Sequence, residues 1–196
     1  MIRLGLTGSI ATGKSTTAHL FAEEGAPVHD ADAAVHAIYD QEGIGPVSTL
    51  IPSALKDGTI DRKALKAALQ ANPQLLPRLE AIVHPLVHTR ETDAATRAER
   101  EGHDVMVFDI PLLFETGGQA RMDKTIVTYC APQIQRLRLM ERPGMTDETA
   151  RMLMDRQMPQ AEKRARADFE ISTDHGLDAA RADVRRILKE CREGLL

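Results

Sequence analysis

A chain of 196 residues with 42% hydrophobic content can bury a sizeable core, and its length favours one domain with inserted subdomains. Its net charge of −4 and 3% aromatic content argue against a nucleic-acid surface, and no window approaches the roughly 18 to 20 apolar residues that span a bilayer. Cys130 and Cys191 are too few and too far apart for a disulfide framework or a four-thiolate zinc site, and no basic, apolar leader precedes the first strand pattern. The expectation is a cytoplasmic protein with reduced thiols, without nucleic-acid or membrane partners, and monomeric or a small homo-oligomer.

The first strand candidate, Arg3–Leu6, runs into Gly8-Ser9-Ile10-Ala11-Thr12-Gly13-Lys14-Ser15, a complete G-x-x-x-x-G-K-[ST] loop. A helix pattern over Thr16–Ala22 follows and stops at Gly25, so the motif has the strand–loop–helix context that its chemistry requires. Gly8 and Gly13 permit backbone turns closed to larger residues, which lets successive N–H groups face phosphate oxygens. Lys14 supplies a charge for the β- and γ-phosphates, and the Ser15 hydroxyl suits a Mg²⁺ shell. The loop names a ligand, a nucleoside triphosphate, but no reaction.

The second strand candidate, Pro27–His29, exits into Asp30-Ala31-Asp32. Both carboxylates suit a helix entry, where the dipole favours negative charge. Next to a phosphate loop, Asp32 also suits the acceptor of a substrate hydroxyl proton, since in phosphoryl transfer positioning outweighs base strength. The stretch from there to the third strand is too long for a simple crossover. Asp61 reads as the N-cap of a helix over Arg62–Gln70, Asn72-Pro73 starts another, and Pro85 restarts helix to about Arg100. His84 and His88 are spaced for one helix face, but Pro85 between them predicts a break, and no Glu follows His84 as a zinc protease needs. His84 then reads either as a turn residue or as a polar contact for the acceptor substrate.

Val105–Phe108 is the third strand candidate and ends in Asp109, the position of a Mg²⁺-holding carboxylate beside a phosphate loop. Leu112, Leu113 and Phe114 after it read as core and wall rather than as a cofactor box. Thr125–Tyr129 and Phe169–Ser172 are the last strand candidates. Between them Pro132–Ala167 is broken at Pro143-Gly144 and Pro159, and residues 136–166 carry eight Lys or Arg against five Asp or Glu. Two readings fit: a solvated helix with internal ion pairs, or a mobile basic cover over polyphosphate. The alternation of strands and helices predicts a parallel sheet covered on both faces, with ligands beyond the carboxyl ends of its strands.

With these residues placed, the chain resembles the dephospho-CoA kinases. The resemblance runs nearly end to end through Leu6-Thr7-Gly8, Gly13-Lys14-Ser15-Thr16, Asp30-Ala31-Asp32, Leu79–Val87 with His84-Pro85, Pro111-Leu112-Leu113-Phe114-Glu115, Arg156-Gln157, Glu162-Lys163, Ala167-Asp168 and Gly176. It implies an α/β fold, a P-loop NTPase three-layer α/β/α core with a five-stranded parallel sheet. It also implies the division 1–30, 101–133 and 168–196 for the nucleotide-binding core, 31–100 for a helical CoA-binding region, and 134–167 for a helical lid. The implied reaction is ATP-dependent phosphorylation of the ribose 3′-hydroxyl of dephospho-CoA, the last step of CoA synthesis. Asp32 would be the catalytic base, with Lys14 and Arg142 at the phosphates, and Arg138 or Arg156 would accompany Arg142 in the lid. Gly8, Ala11, Thr12, Gly13, Lys14, Ser15 and Thr16 would bind ATP, Ser15 and Asp109 Mg²⁺, and Asp32 and His84 the acceptor. The family loop commonly reads G-G-I-G-S-G-K-S, whereas Ser9, Ala11 and Thr12 stand here, and Thr173-Asp174-His175-Gly176 lacks the family's asparagine before the glycine.

Rival readings are another small-metabolite or nucleotide kinase, a noncatalytic nucleotide-binding module, and a GTP-dependent switch. The switch lacks a guanine-reading N/T-K-x-D, and its only D-x-x-G-like stretch, Asp40-Gln41-Glu42-Gly43, follows a helix pattern.

Overall fold

In a computed structural model, which describes residues 1–155 and 157–194, the chain divides into two compact units, residues 1–29 with 98 onward, and residues 30–97. The first unit is built on a parallel sheet. Its strands are β1 (Ile2–Gly8), β2 (Val28–Asp30), β5 (Val105–Asp109), β6 (Lys124–Tyr129) and β7 (Phe169–Ser172), in the order β2-β5-β1-β6-β7. Leu4 sits beside Val107 on one side and Lys124 on the other, so β1 is central.

Alternation along β1 assigns its side chains to two faces. Leu4 and Leu6 join a core with Leu20 and Phe21 of α1 (Lys14–Glu23) and Val184, Ile187 and Leu188 of α9 (Gly176–Arg192). The buried positions of α9 fall at helical spacing, from Ala180 through Val184 and Ile187 to Cys191. On the opposite face Gly5 lies under Leu113 and Met122, where a Cβ would come within 2.9 and 2.8 Å of their side chains. Both faces of β1 are thus covered, as its apolar run requires. The chain builds β2 and β5 to one side of β1 and β6 and β7 to the other, and in open α/β sheets ligands bind at such a reversal, beyond the carboxyl ends of the strands.

The basic stretch forms α6 (Pro132–Met140), α7 (Asp147–Asp155) and α8 (Gln160–Arg166), interrupted where the prolines predict. Of its arginines, Arg156 lies outside the described residues.

The second unit holds α2 (Ala31–Asp40), α3 (Ile44–Leu50), α4 (Arg62–Ala71) and most of α5 (Leu75–Arg100) around a core of Val47, Ile51, Ile60, Leu65, Leu79 and Val83. Asp61 caps α4 as expected, its carboxylate accepting from Ala64 N at 2.7 Å. Three expectations are corrected. The stretch is not helical throughout: β3 (Leu55–Lys56) and β4 (Thr59–Ile60) form a hairpin around Asp57-Gly58, both at positive φ, a turn whose Asp-Gly signal is strong. Asn72 bonds Gln74 N through its side chain, so helix begins at Leu75 rather than at Pro73.

The third correction concerns Pro85, which sits inside a continuous α5 and does not break it. The missing donor leaves the Ala81 carbonyl without its helical partner, but Ala81 is exposed and water can serve it. Leu79 and Val83 before the proline and Val87 after it pack on the same core and hold the helix through. Among the described residues no helix is long and apolar enough to cross a membrane.

Candidate active site

The loop leaves β1 at Gly8, where a Cβ would fall 2.1 Å from Thr128 Oγ1, so only glycine passes under that threonine. Thr12, fully buried, donates to the Ser9 carbonyl at 2.7 Å and meets Thr128 Oγ1 at 3.0 Å. Its own carbonyl accepts from Thr173 Oγ1 at 3.0 Å. Gly13 takes φ 88° and ends the loop as the N-cap of α1, whose first turn carries no acidic residue. The amides of that first turn have no carbonyl behind them within the helix, and the dipole adds positive potential where they point. Ala11 stands at φ 62°, a left-handed conformation that costs a non-glycine residue about 1 kcal/mol.

Lys14 projects from α1 to Asp109 at the end of β5, Nζ to Oδ1 2.6 Å, with the pair 16% and 7% exposed. Register explains the meeting, since Asp109 lies beside Leu6, two residues before the loop. The ammonium expected at the phosphates and the carboxylate expected at Mg²⁺ therefore share one spot. Among the described residues no three His, Cys, Asp or Glu side chains converge as a metal site. Mg²⁺ that arrives with a nucleotide needs only one or two protein oxygens, because phosphates and water complete its octahedron. Ser15, in the exposed first turn of α1, and Asp109 are hard oxygen donors that fit this requirement.

The loop is also held from behind. Ile10 N donates to Gln157 Oε1 at 2.8 Å, and the Ile10 carbonyl accepts from Gln135 Nε2 at 2.8 Å. Gln160 ties this group together, donating to Gln135 Oε1 at 2.5 Å and accepting from Cys130 N at 3.1 Å. Lys163, fully buried on α8, donates to the Pro111 carbonyl at 3.0 Å and to Thr7 Oγ1 at 3.4 Å, and pairs with Glu115 Oε1 at 3.0 Å. Burial pushes its pKa down; Glu115 pulls it back up and the nearby Lys14 charge lowers it further.

The other residues singled out lie elsewhere. Arg138 donates to the Thr173 hydroxyl at 2.8 Å and carbonyl at 2.7 Å, so its guanidinium holds the residue that in turn holds Thr12. Arg142 is exposed in the turn after α6. In the second unit, Asp30 is a helix cap, accepting from Ala33 N at 2.9 Å, and Asp32 is exposed in the first turn of α2. His84 is exposed on α5, and because the helix is continuous it shares a face with His88. No third ligand joins them among the described residues, whereas zinc needs at least three.

Composition and periodicity did not single out Gln135, Thr128 or Thr173, since each reaches the loop across more than 110 residues of chain. Gln157 and Lys163 did carry a signal, because both stand in stretches that bear the family resemblance.

Comparison with known proteins agrees along the chain. The family model for dephospho-CoA kinase matches residues 2–179. A dephospho-CoA kinase of Agrobacterium fabrum is 48% identical over 190 residues, covering 97% of this chain and 98% of that one. Among solved structures, a protein of Thermus thermophilus superposes with TM-score 0.83 at 33% identity, covering 100% of this chain and 98% of that one. A dephospho-CoA kinase from Campylobacter jejuni superposes with TM-score 0.75 at 27% identity, covering 99% and 98%. With a parallel P-loop sheet, an intact phosphate loop and a full-length match, this chain belongs to the dephospho-CoA kinase family, enzymes that phosphorylate dephospho-CoA.

Proposed function

We propose that this chain moves the γ-phosphoryl group of ATP onto the ribose 3′-hydroxyl of dephospho-CoA, giving ADP and CoA, through the following division of labour. The amides of Ala11 to Thr16 and the Lys14 ammonium bind the β- and γ-phosphates. Such preorganised donors need not reorganise as charge builds on the transferring group. Ser15 and Asp109 would hold Mg²⁺, which would supply charge neutralisation at the phosphates. Lys14 then exchanges its contact with Asp109 for the phosphates. Asp32 accepts the hydroxyl proton as the new P–O bond forms and the bond to ADP breaks. Its support is its place two residues beyond the end of β2 and its exposure at a helix N-terminus.

Residues 31–100 serve as the CoA-binding region, with His84 a polar contact, and residues 134–167 as a lid carrying Arg142. Closure of that lid would keep water from the γ-phosphate, and it predicts slower hydrogen exchange over residues 136–155 with a nonhydrolysable ATP analogue than without it. Two buried, unpaired cysteines suit work in the reducing cytoplasm, as a monomer or small homo-oligomer.

One observation carries the reading: an intact loop, with Lys14 against Asp109, in a chain that matches the family from residue 2 to residue 179. The test is ADP release from ATP and Mg²⁺ with dephospho-CoA, AMP, CMP or shikimate as acceptor. Release with dephospho-CoA alone is expected. Release with another acceptor and none with dephospho-CoA would assign a different kinase activity.

A further inference from the structure

Lys163 is a fully buried charge beside the loop to which the proposed reaction assigns no task. Its side chain is fully buried, and the ammonium, with three protons to donate, meets three oxygens: Thr7 Oγ1, the Pro111 carbonyl and Glu115 Oε1. These acceptors are not arbitrary. Thr7 is the last residue of β1 before Gly8, and Pro111 follows Asp109 by two; Thr7 Oγ1 also donates to the Pro111 carbonyl at 2.9 Å. One ammonium thus fastens together the exits of the strand that leads to Lys14 and the strand that ends at Asp109.

The third partner extends the fastening. Glu115 Oε1 also accepts from Met158 N at 3.0 Å, and the Met158 carbonyl accepts from Ser9 Oγ at 3.4 Å. Together with the bond from Ile10 N to Gln157, the start of α8 is tied to the phosphate loop on one side and to Glu115 on the other. Ser9 makes its link through a hydroxyl that a glycine would lack. Stability alone gives little reason for a charge here, since replacing a buried ion pair by apolar side chains of similar volume is often neutral or stabilising.

We propose that Lys163 is a positioning residue for phosphoryl transfer: acting through Thr7, Pro111 and Glu115, it sets the spacing of the strand exits that carry Lys14 and Asp109 and anchors the α8 end of the basic segment to them. The inference rests on the reaction proposed above. Misplacement of reacting groups by about 1 Å can cost about 10²-fold in rate, so the effect is expected in turnover and in the fate of the phosphoryl group more than in ATP binding.

The test compares the wild-type enzyme with Lys163→Met and with the double variant Lys163→Met/Glu115→Gln. For each, unfolding temperature, kcat and KM for ATP, and the ratio of ADP formed to CoA formed are measured. Lys163→Met strands the Glu115 carboxylate and lowers stability; the double variant removes that charge and recovers it. The expected result is that both variants lose turnover by about 10²-fold, keep KM for ATP within about threefold, and release more ADP per CoA than wild type. Recovery of turnover along with stability in the double variant would overturn the proposal, as would a loss at an unchanged ADP-to-CoA ratio. If Lys163→Met does not fold, Glu115→Ala, which removes the shared acceptor, is measured by the same criteria. A wild-type enzyme that makes no CoA would instead bring down the reaction itself, so the two failures are distinguishable.

Discussion

Around the phosphate loop the polar side chains are engaged: Thr12 with Ser9 and Thr128, Thr173 with Thr12, Gln135 and Gln157 with Ile10, Lys163 with Thr7, Pro111 and Glu115. On α2 and α5, by contrast, Asp32 and His84 stand exposed on helix surfaces. The difference fits the roles proposed for each. A polyphosphate is gripped by backbone amides and one ammonium, and a backbone can be aimed only by fixing it, so the loop is braced before the nucleotide arrives. A general base has to meet its substrate, and a side chain at a helix entry needs little beyond the cap that orients its helix. Here that cap is Asp30.

Substitutions sharpen this contrast between a braced loop and the exposed carboxylate proposed as the base. The largest effect is expected from Lys14→Ala, because charge stabilisation of a transferring phosphoryl group is worth roughly 10³ to 10⁵ in rate. Steady-state turnover should fall within that range. Asp32→Asn should lower kcat by roughly 10² to 10⁴, the usual scale of general-base help, while ATP affinity, measured by titration with a nonhydrolysable analogue, stays near wild type. Unchanged turnover would remove Asp32 from its role, and a matching loss of nucleotide affinity would put it on the gripping side of the comparison.

The brace itself is open to test through two small changes. Gly8→Ala drives a methyl to 2.1 Å from Thr128 Oγ1, and thermal denaturation should show a loss of about 1 to 3 kcal/mol, the usual scale of overpacking. Ala11→Gly should change stability by less than about 1 kcal/mol, since relief of the left-handed strain is offset by the greater freedom of glycine in the unfolded chain. A large loss there would mean that the Ala11 methyl has a packing role.

The smallest effect belongs to the second unit. Arg90 clasps Glu42 at 2.6 and 2.8 Å, and its hydrogen bonds bring that carboxyl down to about 2, against a partial desolvation that pushes it up. A folded pKa below the unfolded value of 4.5 means that the pair stabilises above pH 4.5 and that its contribution fades as pH falls toward 2. Arg90→Ala should return the Glu42 midpoint, followed by carboxyl carbon NMR, toward 4.5.

Much of this arrangement was legible locally. The phosphate loop announces itself because the turn demands glycines at fixed spacing, and the caps Asp30 and Asp61 announce themselves because a carboxylate three residues before an amide satisfies a helix start. Pro85 misled for the same local reason: proline removes a donor, and only the packing of Leu79, Val83 and Val87 on the second unit's core reveals that the helix survives it. The hairpin at Asp57-Gly58 was present as a turn signal, but its strands are two residues each, too short to show alternation.

What the amino-acid order settled by itself was the kind of ligand, the five strands of the parallel sheet, and the family, since each rests on residue types in local patterns. What folding alone decided was which distant side chains brace the loop. Nothing near Lys163 in the chain says that it will be buried, or that Thr7, 156 positions away, will be one of its acceptors. A buried ammonium is tolerated only where several oxygens converge on it, and that convergence belongs to the packed sheet and α8, not to any segment of the chain.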